Sequence, residues 1–484
     1  MLKAVIFDID GTLWQTGASY IYSYNKLCDL YGITNRKTDE EVLMGLGIRL
    51  ELLLEYLFPD TEKTNELAFL AVNYSVEYLK AHENECCFDG VCNLLVRVSE
   101  EYSVYLVSNC PRLYADTFMQ ISGTADYIKG IYTIEDGEKT DNINKIAKET
   151  EGKLLYVGDS TEDYDALTDR YTQYFCYAKY GYNTCDRYDY SIDLPSELSD
   201  VLRRIEIKER QSGGAPYRVF SKGDNQITLI RKGNDLSYFG FVKCIDDRFN
   251  DVVRELREVC DTKLIGPIDF NTFYSYRFAL DHYDLRLYPD LVGERELPFF
   301  LQNGFLFHQE YVSILAEADL DACKRFDRIA LPSEYSIKEL HGDEVYSYLD
   351  DVYDVAVSAF EQAYLYEPID RKDFIDIYVK ALKQIIPDML IVYHLDKPIG
   401  FCFCYEDPEK RFYVCKTVAI KSDERNSRVL SVMIKGTFDM MKQRGHKDIL
   451  HHFKMRKATK PFNLYSKNIL CTKRYTLLEY ESDK

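Results

Sequence analysis

Three short apolar runs in the first third of the chain each end directly in polar residues. The runs, residues 4–7, 104–107 and 154–157, have the length and composition of buried strands. Segments with apolar residues at helical spacing separate them, and a helix is predicted over Lys139–Thr150. Because strands that alternate with helices form parallel sheets, this region is predicted to be an α/β domain. Polar residues that follow its strands are expected to meet at one edge of the sheet.

Two carboxylates follow the first run. Asp8 and Asp10 occupy strand positions i and i+2, which face the same side, and Gly11 allows the chain to turn away. One carboxylate of such a pair suits a nucleophile and magnesium ligand, while the other exchanges protons with a leaving group. An Asp-Gly turn after a buried strand is also common, so the pair alone leaves both interpretations open.

The other two runs end in residues of matching chemistry. Ser108 and Asn109 follow the second run, and Asp159 and Asp163 follow the third. Lys139, at the start of the predicted helix, brings a positive charge to the same edge. Such charges matter because a phosphate group is repelled by clustered carboxylates unless a lysine and a divalent ion offset them.

These residues, in this order, resemble the four motifs of the haloacid dehalogenase-like hydrolases, aspartate-nucleophile phosphatases with a Rossmann-like parallel sheet. The resemblance covers residues 1–209. The matching positions are residues 8–12, Ser108, Lys139, Gly158, Asp159 and Asp163. Thr140 stands where the family usually has proline, so Lys129 is the alternative motif lysine.

The resemblance implies a role for each motif residue. Asp8 would attack phosphorus to form an aspartyl-phosphate, and Asp10 would protonate the leaving oxygen and later activate water. The transferred phosphoryl group would be bound by Ser108, Asn109 and Lys139. One Mg²⁺, a cation that prefers oxygen ligands, would be held by Asp8, the backbone carbonyl of Asp10, Asp159 and Asp163.

A helical segment separates the first two motifs. Apolar spacing through residues 43–57 and 67–79 predicts helices, and in the resembled family an insertion here is a cap that admits small organic phosphates. We expect the cap to span about residues 15–95. Sugar phosphates, phosphoglycolate and nucleoside monophosphates all remain open as substrates. Trp14 is expected either to line the substrate pocket or to be a buried hinge residue.

Composition excludes several classes of protein. The 484 residues predict two or three domains, and a formal net charge of −20 argues against nucleic-acid binding. No apolar run approaches a membrane span, and the early catalytic strand leaves no room for a signal peptide, so a cytoplasmic location is expected. The 14 cysteines fall into no paired metal spacing and are expected to be reduced. An alternative is a zinc site formed by His82, Cys86, Cys87 and Cys92.

The remainder of the chain is predicted to be α+β. Small flexible residues make 210–216 a linker. In the domain predicted over 217–332, strands are expected at 227–231 and 238–244, and a helix at 249–260. The domain predicted over 333–484 repeats this order, with strands at 389–394, 398–405 and 412–420, a helix at 429–444 and a strand at 448–453.

This order resembles the GNAT-type N-acetyltransferases, and residues 217–332 resemble a diverged copy in a tandem pair. The resemblance implies an acetyl-CoA site, with matching positions at Val418, Ile420, Arg425, Arg428 and Asn463. Side chains occupy the family's glycine positions in the loop before the helix. A basic tract over 435–474, with eleven Lys and Arg against Asp439 and Asp448, is either an anion-binding surface or a solvated face.

The sequence therefore predicts a Mg²⁺-dependent phosphatase of small phosphorylated metabolites, fused to an acetyltransferase-like region. Two alternatives remain open for that region. It is either a second enzyme that acts on the same metabolite, or a non-catalytic module that binds a ligand and regulates the phosphatase.

Overall fold

The chain divides into two compact units. The computed structural model describes residues 1–46, 50–60, 65–283, 285, 291–455 and 466–481. The first unit consists of Met1–Thr228 with Ile245–Val252, and the second of Leu229–Cys244 with Val253–Lys484. Every helix among these described residues is too short or too polar to cross a membrane.

A six-stranded parallel sheet forms the centre of the first unit. Its strands are β1 Leu2–Phe7, β2 Ser103–Val107, β3 Gly130–Tyr132, β4 Lys153–Gly158, β5 Gln173–Ala178 and β6 Tyr190–Ile192. They lie in the order β3-β2-β1-β4-β5-β6, and each neighbouring pair is parallel. The three predicted strands are β1, β2 and β4, and they are almost wholly buried because helices cover a parallel sheet on both faces.

The helices of the first unit fall into two groups. Their bounds are α1 Gly17–Tyr31, α2 Asp39–Leu43, α3 Leu50–Leu57, α4 Asn65–Ala81, α5 Val91–Ser99, α6 Arg112–Ser122, α7 Lys139–Thr150, α8 Thr161–Asp165 and α9 Leu198–Gln211. Helices α1 to α4 share their own apolar core, which includes Leu27, Leu54 and Leu67. They lie within the range predicted for the cap, about residues 15–95. Helix α5, which lies in the same range, contacts β2 of the sheet.

Helix α9 shortens the predicted linker. The helix continues to Gln211, so the first two residues of the predicted linker 210–216 are helical. Gly213 and Gly214 follow with φ angles of 57° and 86°. Because only glycine adopts such angles without strain, these two residues end the helix.

The second unit is built on one large mixed sheet. The first elements after α9 are β7 Tyr217–Lys222, β8 Asn225–Arg231 and α10 Phe249–Val259. The boundary between the units passes through β8 and α10, and β7 precedes it. The strands that follow are β9 Leu236–Lys243, β10 Lys263–Gly266, β11 Phe278–Ala279, β12 Leu291–Val292, β13 Leu306–Ala318, β14 Tyr335–His341, β15 Pro387–His394, β16 Lys397–Glu406, β17 Tyr413–Ile420, β18 Asp448–Met455 and β19 Ser466–Tyr480. The helices that follow α10 are α11 Glu296–Gln302, α12 Leu320–Cys323, α13 Leu349–Phe360, α14 Arg371–Leu382 and α15 Ser427–Gln443.

Two sets of elements in this unit repeat the same order. In one set α10 connects the parallel strands β9 and β10, and in the other α15 connects the parallel strands β17 and β18. Strand β10 then pairs with β19, β18 pairs with β13, and β13 pairs with β19, all antiparallel. The first set therefore borders β19, the strand that follows the second set, and the second set borders β13, which follows the first. The sheet runs across the predicted boundary between residues 332 and 333.

A buried carboxylate ties several elements of the second unit together. Asp388 on β15 accepts hydrogen bonds from Arg444, at 2.7 and 3.0 Å, and from the Tyr413 hydroxyl at 2.9 Å. Nδ1 of His341 lies 2.8 Å from Asp388 Oδ1. Burial raises the pKa of Asp388, but these hydrogen bonds outweigh burial and hold the pKa below its usual value.

We expect Asp388→Asn to destabilise the second unit by about 3 kcal/mol, because the substitution breaks a buried ion pair. Since the pKa of Asp388 is lowered by folding, its contribution is complete above the usual aspartate pKa of about 4 and is lost as the pH falls through the lower folded value. Calorimetric unfolding at pH 7 and at pH 3 measures both effects. The matched control is Asp350→Asn, an exposed partner of Arg371, which should cost less than 1 kcal/mol, roughly the upper limit for a surface pair. Equal losses for both variants would contradict the prediction.

Candidate active site

Asp8 lies at the carboxyl end of β1, between the ends of β2 and β4. Its backbone amide donates to the Val157 carbonyl at 2.9 Å, and its side chain is buried. Nζ of Lys139 lies 3.2 Å from Asp8 Oδ1 and 2.6 Å from Asp163 Oδ1. Burial raises the pKa of Asp8 well above its usual value, Lys139 lowers it, and Asp163 and Asp159 raise it again. The carboxylate is thus a desolvated group whose charge depends on nearby cations.

Three buried carboxylates come together at this point. One oxygen from each of Asp8, Asp159 and Asp163 lies within 4.8 Å of the others. Burial and the charge of Asp163 raise the pKa of Asp159 to about 7, against hydrogen bonds from Tyr182 and Asn183. Lys139 carries the only positive charge paired with this cluster in the described residues. Three hard oxygen donors with an excess of negative charge fit Mg²⁺.

Local structure explains the positions of Asp159 and Asp163, which follow β4. Ser160 caps α8, since its side chain accepts from the Asp163 amide while Asp163 Oδ2 accepts from the Ser160 amide at 3.0 Å. This reciprocal cap orients Asp163 toward Lys139. Asp159 Oδ2 accepts from the amides of Tyr182 and Asn183 at 2.8 and 3.1 Å.

Two glycines allow the close approach of these loops. Gly11 has a φ angle of 74°, and a Cβ atom there would collide with the Asp159 carboxylate. A Cβ atom on Gly181 would collide with Asp159 and with the Gly11 carbonyl. Side chains at either position would therefore push Asp159 out of the cluster.

Asp10 has a different environment from the cluster. The Tyr114 hydroxyl donates to Asp10 Oδ1 at 2.9 Å. Burial raises the pKa of Asp10 to about 6, although the hydrogen bond from Tyr114 and the charge of Lys139 lower it. A carboxyl with this pKa is partly protonated near neutral pH, which suits a general acid and base.

The phosphate-binding residues predicted from sequence lie beside these acids. Ser108, Asn109 and Lys139 line the same cavity as Asp8 and Asp10. The alternative lysine, Lys129, is exposed, and its Nζ lies 3.4 Å from Ser103 Oγ at the opposite end of β2. The structure thus brings Lys139 into the site, and Lys129 lies outside it.

A family model described as haloacid dehalogenase-like hydrolase matches residues 5–171. The first unit therefore contains a haloacid dehalogenase-like hydrolase domain. A curated relative, the N-acetylmuramic acid 6-phosphate phosphatase of Pseudomonas aeruginosa, is 24% identical over 231 residues, which cover 42% of this chain and 96% of the relative.

Solved structures also resemble this haloacid dehalogenase-like domain. A haloacid dehalogenase-like family hydrolase from Streptococcus pneumoniae is 20% identical, covers 42% of this chain and 98% of its own, and has a TM-score of 0.35. A haloacid dehalogenase-like hydrolase from Bacteroides fragilis is 19% identical and has a TM-score of 0.36. The match covers 41% of this chain and 100% of the Bacteroides fragilis chain.

Other residues of the haloacid dehalogenase-like domain were not indicated by any sequence pattern. Tyr114 donates to Asp10, the amides of Tyr182 and Asn183 donate to Asp159, and the Tyr156 hydroxyl lies 3.3 Å from Asp163 Oδ1. Trp14 is fully buried and stacks edge-on against Tyr114 at 4.9 Å between ring centroids. Trp14 is not among the described residues that line the cavity, so its role is packing.

The zinc alternative has no support in the described structure. The Cys86 thiol donates to the His82 carbonyl, and Nδ1 of His82 lies 2.9 Å from the Tyr78 carbonyl. The described residues bring together a metal-binding group of three side chains only at Asp8, Asp159 and Asp163. All 14 cysteines are free thiols.

The positions predicted for acetyl-CoA are spread over the end of β17 and the start of α15. Val418 lines a cavity in the second unit, and Ile420 pairs with Gly400. Asn426 caps α15 by accepting from the Arg428 amide at 2.8 Å, so this amide is already engaged. Arg425 is exposed. Asn463 lies outside the described residues.

Proposed function

We propose that the haloacid dehalogenase-like domain is a Mg²⁺-dependent phosphatase that hydrolyses a small organic phosphate monoester through an aspartyl-phosphate. The observation that carries this proposal is the contact of Lys139 with both Asp8 and Asp163, beside Asp159. A nucleophilic carboxylate, a cation for the phosphoryl oxygens and a ligand set for Mg²⁺ thus occupy one cavity. The phosphatase name of the curated relative supports the same reaction.

In the first half of the proposed reaction, a carboxylate oxygen of Asp8 attacks phosphorus and the bond from phosphorus to the leaving oxygen breaks. Asp10, held by Tyr114, gives its proton to that oxygen. Lys139 and Ser108 bind the phosphoryl oxygens. Asp8, Asp159 and Asp163, with the Asp10 carbonyl, would hold a Mg²⁺ ion, which would supply charge stabilisation for the transferred group when bound.

In the second half, the Asp10 carboxylate takes a proton from a water molecule, and the resulting hydroxide attacks phosphorus of the aspartyl-phosphate. Inorganic phosphate leaves, and Asp8 and the protonated Asp10 are restored. One group can serve both as acid and as base because the pKa of Asp10, raised by burial to about 6, lies close to neutral pH.

Phosphate release from a panel of small phosphate esters tests this function. We expect the full chain to release phosphate in the presence of Mg²⁺ and to lose this activity when the metal is removed by a chelator. Restoration by added Mg²⁺ separates metal loss from denaturation. Turnover that is unchanged by the chelator would contradict the metal-dependent mechanism.

A second candidate function concerns the second unit. Parallel strands β17 and β18 pair at residues 413–415 with 449–451, and beyond this point their described residues are not paired with each other. A cavity of about 530 Å³ opens there, lined by Lys416, Thr417 and His452 among others. Arg277, which is fully buried and lies over the rings of Tyr276 and Tyr311, also lines it.

We infer that this cavity binds an acyl thioester such as acetyl-CoA. Its described lining contains Lys, Arg and His side chains and no carboxylate, which suits an anionic ligand, and the separated strands offer backbone groups to an extended one. The repeated order of strands and helix supports the tandem GNAT-like interpretation.

Calorimetric titration of the full chain with acetyl-CoA tests the inferred site. We expect saturable binding, weakened at least about tenfold by Thr417→Trp, because a bulky ring fills the cavity. The control Ser422→Trp, at an exposed position after β17, should bind as the wild type does. Absence of heat at millimolar acetyl-CoA would contradict the inference and favour a module that binds another ligand.

A further inference from the structure

The cavity beside Asp8 extends into the apolar core of the cap. Side chains from α1, α3 and α4 line it, and Phe58 directly after α3 lines it too. Seven of the lining residues also belong to the buried core of the cap: Tyr24, Leu27, Leu53, Leu54, Leu57, Phe58 and Ala71. An organic group attached to a phosphate in the site would therefore contact aliphatic and aromatic carbon.

Four hydroxyl groups that line this part of the cavity each make a hydrogen bond within the protein. Ser23 Oγ donates to the Ala71 carbonyl at 2.8 Å, and Ser75 Oγ donates to the Ser19 carbonyl at 3.4 Å. The Tyr24 hydroxyl accepts from the Lys37 amide at 2.7 Å, and Tyr114 is engaged by Asp10. The protons of Ser23, Ser75 and Tyr114 are therefore engaged, and these groups can meet a substrate hydroxyl only as acceptors.

The described part of this lining offers no charge to an ionised organic group beyond the residues next to the phosphate site. Apart from Asp8, Asp10, Lys139 and Asp159, the described residues that line the cavity include no Lys, Arg, His, Asp or Glu. Lys139 lies beside Asp8 and Asp163, where it is proposed to bind the phosphoryl group rather than the organic part. Burial of an unpaired carboxylate or ammonium group among leucine side chains is strongly unfavourable.

We propose that the substrate is a phosphate monoester whose organic part is uncharged and apolar, such as an aliphatic or aryl group, and that this part lies among α1, α3 and α4. This inference rests on the phosphatase function proposed above. It separates this chain from its curated relative, whose name specifies a sugar phosphate that bears a carboxylate and hydroxyl groups.

A series of n-alkyl phosphates from methyl to butyl phosphate tests the substrate class. Each methylene group buried in the cap should raise kcat/KM about fourfold, the factor that corresponds to burial of one methylene. Propyl phosphate should be a better substrate than phosphoglycolate, which is similar in size but carries a carboxylate, by about 100-fold or more.

A pair of variants locates the effect in the cap. Ala71→Leu places a larger side chain in the cavity, so we expect it to lower the ratio of kcat/KM for butyl phosphate to kcat/KM for methyl phosphate by about tenfold. The control Ala81→Leu changes an exposed alanine at the end of the same helix and should leave the ratio unchanged. Circular dichroism of both variants monitors folding.

The outcomes separate this inference from the proposed function. A flat alkyl series, a preference for phosphoglycolate over propyl phosphate, or an unchanged ratio in folded Ala71→Leu would overturn the inference while phosphatase activity stands. Absence of phosphate release from every ester, including those that carry charges or hydroxyls, would instead overturn the proposed function.

Discussion

Replacing Asp8 with asparagine is expected to reduce phosphate release on the order of 10⁴-fold or more, because the amide has no nucleophilic carboxylate oxygen. Asparagine has almost the same shape, so the buried site at the end of β1 should keep its packing. The substitution also removes a negative charge next to Lys139, whose Nζ lies 3.2 Å from Asp8 Oδ1, and one ligand from the carboxylate cluster. Steady-state phosphate release with saturating Mg²⁺ measures the effect.

The matched control for Asp8→Asn is Asp165→Asn. Asp165 is an exposed aspartate at the end of α8 that pairs with Arg187 at 2.7 Å. Its loss should leave turnover within about twofold of the wild type, since exposed ion pairs contribute little. Intact-mass analysis after rapid quenching should find a phosphoryl group on the wild type and none on Asp8→Asn. Turnover that survives in folded Asp8→Asn would rule out Asp8 as the nucleophile.

The second large effect is expected for Lys139→Met. Burial lowers the pKa of Lys139, but Asp163 and Asp8 raise it more, so the amine stays protonated next to the cluster. Methionine keeps much of the side-chain volume and removes the charge. We expect kcat/KM to fall by about 10²–10³-fold, the usual effect of losing one preorganised electrostatic contact to a transition state.

Lys129→Met provides the control for Lys139→Met, because the same substitution is made at the other candidate lysine. Lys129 is exposed, and its Nζ lies near Ser103 Oγ and the Tyr105 ring, so we expect kcat/KM to stay within about twofold of the wild type. A loss of activity in Lys129→Met that equals the loss in Lys139→Met would show that the motif lysine has been misplaced.

The candidate site could be predicted from sequence to the extent that its residues follow buried strands. Asp8, Ser108 and Asp159 come directly after β1, β2 and β4, and parallel strands place their carboxyl ends at one edge. Tyr114, Tyr182 and Asn183 could not be predicted in this way. They reach Asp10 and Asp159 from α6 and from the loop after β5, and neither segment has a pattern that specifies where its side chains point.

The second unit shows a similar limit. Alternating and helical patterns predicted β15, β16, β17, α15 and β18 within about two residues. They did not predict that β13 would lie between β18 and β19, because strand neighbours far apart in the chain are chosen by packing rather than by local pattern.

The sequence by itself determined the haloacid dehalogenase-like motifs, the parallel sheet that carries them and the helical character of the cap. Each of these depends on local spacing, which one chain displays directly. The tertiary structure alone decided that Lys139 rather than Lys129 joins Asp8, that Trp14 packs against Tyr114, and that the cap presents leucine side chains to the site. These outcomes depend on contacts between segments distant in sequence, where burial, charge and shape act together and no local pattern records the result.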